Sequence, residues 1–115
     1  MFNYTILDPL QVEFLEIAPV AELLEGERLF FEAAGRSIVI FNLAGKLYAI
    51  GDVCSHDNGP VGDGEIEEHE IICPRHGARF DILTGKATSL PAVLDIPSYP
   101  VRVMGDMIEI GLPKG

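Results

Sequence analysis

Apolar residues come along this chain in short runs separated by glycine turns, and hardly anywhere do they recur with the 3.6-residue period of an amphipathic helix. The pattern predicts a nearly all-β fold. The stretch "RLFFEAAGRSIVIF" predicts two strands around a turn at Ala34, Gly35 and Arg36, and "KLYAIGDV" predicts a third beyond a second turn at Ala44 and Gly45. These make an antiparallel meander. Toward the end, Val101 and Val103 alternate with Arg102, and Ile108 and Ile110 alternate with Glu109. Gly105-Asp106 between them reads as a two-residue hairpin turn with glycine first. Only "APVAELLEG", with Pro19 near the first helical position, predicts a short helical turn.

At 115 residues the chain has room for one core, so a single domain over residues 1–115 is expected. Its 18 acidic against 8 basic side chains give a net charge of −10, which argues against nucleic acid and for a partner with a basic docking face. The start, "MFNYTILDPL", has no basic region, and Asn42 and Lys46 interrupt the longest apolar stretch, so neither a signal peptide nor a spanning helix is expected. A soluble, cytoplasmic protein follows. In that reducing compartment its two cysteines are better read as metal ligands or buried thiols than as a disulfide.

Between residues 54 and 81 the alternation gives way to loops. Asn58, Gly59, Pro60, Gly62 and Gly64 mark one loop; "EIIC" leads into a second and "ARFDIL" leads out of it. Each carries chemistry: Cys54 and His56 have one residue between them, Cys73 and His76 have two, and sixteen residues separate the pairs. A tetrahedral zinc ion accepts two thiolates and two imidazoles, yet structural zinc sites usually pair like ligands, as C-x₂₋₄-C with H-x₃₋₅-H. Mixed pairs suit two metals. In a two-iron cluster where histidines hold one iron and cysteines the other, each loop must reach both irons and so must carry one ligand of each kind.

The pattern C-x-H-x₁₆-C-x-x-H, followed by "GARFD" and "TGKA", resembles the Rieske family, and within it the Rieske-type ferredoxins, over roughly residues 12 to 112. The resemblance implies one [2Fe-2S] cluster, with Cys54 and Cys73 on an inner iron and His56 and His76 on an outer iron near the surface. It implies a Rieske fold, an antiparallel β-sandwich with a cluster-binding subdomain of two facing loops at about residues 53–92. "SLPAVLDIPSYP" resembles the proline-containing loop that helps cover the cluster. Neutral imidazoles in place of thiolates make reduction easier, placing such clusters at roughly −150 to +300 mV against about −400 mV for all-cysteine plant-type clusters. High-potential respiratory members carry two further cysteines that bridge the loops, and a serine and a tyrosine that hydrogen-bond the cluster sulfurs. Here Gly59 and Arg75 stand at the cysteine positions, and Ala78 and Phe80 at the hydroxyl positions. Two absent bonds of about 1.5–3 kcal/mol each lower the potential on the order of 100–200 mV, so the expected midpoint is roughly −150 to 0 mV.

A Rieske oxygenase needs a further iron bound by two histidines and a carboxylate, and after His56 and His76 only His69 is left. His69 itself reads as an exposed residue. There is no dinucleotide fingerprint for taking hydride from a nicotinamide, and "GPVGDG" reads as turn glycines because no strand-to-helix context follows it. The expected function is therefore that of a one-electron carrier, not an enzyme. By resemblance it runs from an NAD(P)H-dependent flavin reductase to a terminal non-haem iron oxygenase. A small subunit like that of assimilatory nitrite reductase and a zinc-binding interaction module are the alternatives. Arg75 and Arg79 either contact an electron partner, offset the cluster's charge or stand solvated, and Glu65, Glu67, Glu68 and Glu70 either dock a basic partner or are solvated. Whether Asp57, next to His56, tunes the potential is left open by sequence.

Overall fold

In the computed structural model, which describes residues 12–55, 59–75, 77–90 and 94–113, the run "RSIVIFNL" forms strand β3, Arg36–Leu43, buried continuously from Ile38 to Asn42. Side chains alternate along a strand, so five buried residues in succession require a core on each face. Val39 and Phe41 enter one apolar cluster, and Ile38 and Ile40 enter another. The sheet containing β3 is thus the middle layer.

That sheet has the order β2–β3–β4–β9, with β2 at Arg28–Ala33, β4 at Lys46–Gly51 and β9 at Ser98–Tyr99, every pair antiparallel. A three-stranded sheet, β1 (Val12–Pro19), β11 (Met107–Pro113) and β10 (Val101–Met104), contributes Ile108, Ile110 and Leu112 to the cluster of Ile38 and Ile40. A four-stranded sheet, β5 (Glu65–Glu67), β6 (Glu70–Ile72), β7 (Arg79–Asp81) and β8 (Ala87–Ser89), contributes Ile71 and Phe80 to the cluster of Val39 and Phe41. The fold is the all-β, antiparallel architecture expected. No helix among the described residues is long and apolar enough to cross a membrane.

The turns follow from their backbone requirements. Ala34 and Gly35 have φ of 52° and 72°, and Ala44 and Gly45 have 55° and 89°, the double positive φ of the type I′ turn whose twist matches that of two-stranded hairpins. Arg36, expected in the first turn, is already in β3 and pairs with Ala33, because a two-residue turn suffices. Gly105, at φ 65°, begins the turn between paired Met104 and Met107 as expected. Val103 on the edge strand β10 is nevertheless 44% exposed: Val101, on the same face, packs against the cluster of Ile38 and Ile40, and Val103 lies beyond it. The helical turn is a single 3₁₀ turn, Val20–Glu22, with Pro19 just before it. Asn42, the residue that breaks the apolar stretch, is buried and satisfied: its Nδ2 donates to Leu23 O (3.0 Å) and its Oδ1 accepts from Gly45 N (2.9 Å). A polar residue in the core here secures one turn and the end of another.

Candidate metal centre

Two loops leave the sheets with a cysteine at the root of each. Cys54 follows β4 by three residues, and its N–H donates to Gly59 O (2.7 Å); Cys73 directly follows β6, and its N–H donates to Ala78 O (2.7 Å). Both loops therefore close in the same way, cysteine amide to the carbonyl five residues on. Gly77, at φ 75°, adds a bond from its N–H to Cys73 O (3.0 Å), a conformation that side chains other than glycine rarely adopt. The two cysteines are 0% and 2% exposed, are not bonded to each other, and share one apolar cluster with Phe41, Val61, Ile71 and Phe80. His56 and His76 lie outside the described residues, as do Asp57 and Asn58.

Three residues not singled out from sequence hold the first loop. Asp52 Oδ1 accepts from Val61 N (2.9 Å) and Gly62 N (2.6 Å), fixing the chain that leaves the first loop. Arg28 on β2 donates through Nη1 to Gly62 O (2.7 Å) and Gly64 O (2.6 Å), tying the same segment to the central sheet. Ser55 Oγ donates to Leu94 O, so the first loop also carries one flank of the "SLPAVLDIPSYP" segment, of which residues 91–93 lie outside the description. Asp52 carries no local sequence signal for this role, because its partners lie 9 and 10 residues on, beyond the two-residue reach of an Asx turn. Arg28 gives none either, since its partners are 34 and 36 residues away. Gly62 and Gly64 are needed for close approach: a Cβ on Gly62 would sit 2.7 Å from the Phe30 ring, and one on Gly64 would collide with Ile72 O. The reading of "GPVGDG" as structural glycines holds for this reason.

The charged neighbours separate in role. Arg79 lies between Glu67 and Glu70, with Nη1 3.3 Å from a carboxylate oxygen of each, and its pKa is raised by those carboxylates, Glu67 first. It serves the β5–β6–β7 sheet. His69 is an exposed side chain with Nδ1 3.4 Å from Asp81 Oδ1, as expected of a residue outside the ligand set. Arg75 reaches from the second loop to the first, where its Nη1 donates to Pro60 O (2.8 Å).

The donor chemistry fits an iron–sulfur group. A thiolate placed in apolar surroundings is costly unless a cation takes up its charge, and Cys54 and Cys73 are two sulfurs withdrawn from water on paired loops. Residues 13–100 match the family described as the Rieske [2Fe-2S] domain. The chain belongs to this family. As a Rieske domain it carries one [2Fe-2S] cluster of the Rieske type, which sets the zinc alternative aside. Among its relatives, the ferredoxin component of the naphthalene 1,2-dioxygenase system of Pseudomonas putida is 34% identical, over 88% of this chain and 97% of that protein. The 3-phenylpropionate/cinnamic acid dioxygenase ferredoxin subunit of Escherichia coli strain K12 is 43% identical, over 84% of this chain and 91% of that protein. Among solved structures, the ferredoxin of carbazole 1,9a-dioxygenase from Nocardioides aromaticivorans IC177 superposes with a TM-score of 0.79 at 33% identity, covering 88% of this chain and 98% of that one.

Proposed function

We propose that this Rieske protein is a ferredoxin that carries one electron at a time from an NAD(P)H-dependent reductase to a terminal non-haem iron oxygenase, in the cytoplasm and without catalysing a reaction itself. The observation that carries the reading is the pair of identically closed loops, each with a buried cysteine at its root, in a chain whose relatives at 34% and 43% identity are dioxygenase ferredoxins. In this reading Cys54 and Cys73 hold the inner iron and His56 and His76 the outer one. The chain is a single domain over 1–115 with its cluster-binding subdomain at about 53–92. Both named relatives are ferredoxins, which favours the carrier over a fixed subunit of the nitrite reductase kind.

The bound cluster supplies a site that accepts and releases one electron. The chain's part is to hold it and set its surroundings. Val61, Ile71, Ala78 and Phe80 are all buried in the cluster that includes the two cysteines, so they keep water from the sulfur side. Such an apolar shell controls solvent access and local dielectric, and with them the potential. Asp52 and Arg28 hold the segment leaving the first loop, so the Cys54 root stays where β4 places it.

The test is the low-temperature electron paramagnetic resonance spectrum of anaerobically purified protein after dithionite reduction. A rhombic signal of the mixed histidine–cysteine type is expected. A silent spectrum from iron-free, zinc-containing protein would refute the electron-transfer reading.

A further inference from the structure

Arg75 crosses the gap between the two loops. Its guanidinium lies flat against the backbone of Gly59: a Cβ built there would sit 2.7 Å from Nη2, 2.8 Å from Cζ and 3.1 Å from Nε. Real Cβ atoms do not come that close, so only glycine leaves room for the side chain in this position. Gly59 is also the residue whose carbonyl closes the first loop on Cys54, and the next carbonyl, that of Pro60, receives the Arg75 Nη1 bond at 2.8 Å. One side chain from between Cys73 and Ala78 therefore grips the point at which the other loop closes.

We propose that Arg75 is a positioning residue, a non-covalent tie that holds the two cysteine-bearing loops at fixed separation and thereby retains the metal group between them. This rests on the assignment of those loops to the cluster. The tie needs shape as well as charge, because a planar fork both stacks on the glycine backbone and donates to a carbonyl, whereas a lysine ammonium offers only a point charge. Its place also borders the entrance to the second loop. Arg75 lines, with Asp63, Glu65, Pro74 and Cys73, a cleft that opens to solvent, so withdrawing the guanidinium widens a path toward the Cys73 loop.

The test compares the holoprotein with Arg75→Ala, Arg75→Lys and Gly59→Ala, following loss of visible absorbance in excess iron chelator and recording the reduced paramagnetic spectrum of each. Arg75→Ala should lose its chromophore about three- to tenfold faster, the worth of one hydrogen bond and its packing. Gly59→Ala should do the same by displacing the guanidinium. Both should show shifted g-values as the loops relax. Arg75→Lys should fail to restore retention. Equal rates for the parent and Arg75→Ala would overturn the proposal, as would full repair by lysine, which would make the contribution one of charge alone. Because Arg75 is exposed, its removal leaves no cavity in the core. A parent protein without the rhombic spectrum sinks the cluster assignment; a parent with it and an unaffected Arg75→Ala sinks only the tie.

Discussion

Phe80 shows what a single side chain decides here. It is fully buried, with Ala78, in the apolar cluster that contains both cysteines, and neither residue brings a hydroxyl to that environment. A midpoint of roughly −150 to 0 mV is therefore expected from a redox titration, and a value above about +200 mV would be incompatible with this subtype. In the same titration Phe80→Tyr should raise the midpoint by about 50–100 mV, one charge-assisted hydrogen bond at about 59 mV per tenfold. An unchanged midpoint would mean that the new hydroxyl does not reach sulfur. Arg75 and Arg79 make the complementary point. They look alike in "CPRHGARF", yet one bridges two loops and the other two glutamates, a difference set by which way each backbone position faces.

At the scale of elements, the hairpins were readable because period-two alternation and glycine turns are local properties. The first turn is one residue shorter than the sequence predicts, since polar Arg36 looks like turn and only its pairing with Ala33 places it in β3. Both alanine-glycine turns hold alanine at positive φ, an arrangement costing about 1 kcal/mol relative to residues that tolerate it. Ala34→Asn, at an exposed position, should therefore stabilise the protein by about 0.5–1 kcal/mol, read as a higher denaturant midpoint with an unchanged slope. A lower midpoint would show that the methyl group makes a contact worth more than the strain.

For the whole molecule, the net charge of −10 is the property a partner meets first. Electron transfer with a reductase that presents a basic face should slow by about tenfold between low and high ionic strength, as screening removes long-range steering. Rates independent of salt in stopped-flow mixing would rule out electrostatic docking. The acidic hairpin is not wholly available for that purpose: Glu67 and Glu70 are engaged by Arg79, while Glu65 and Glu68 are exposed.

The all-β class, the presence of the hairpins and the spacing of Cys54 and Cys73 follow from sequence alone, because each rests on residue type along the chain. Tertiary structure decided what depends on distant partners. It made β3 a strand with a core on each face. It brought Asp52 and Arg28 onto one glycine-rich segment, and it laid Arg75 on Gly59. Those contacts join residues 9 to 36 positions apart, and no local pattern of hydrophobicity or charge records which distant segment a side chain will meet.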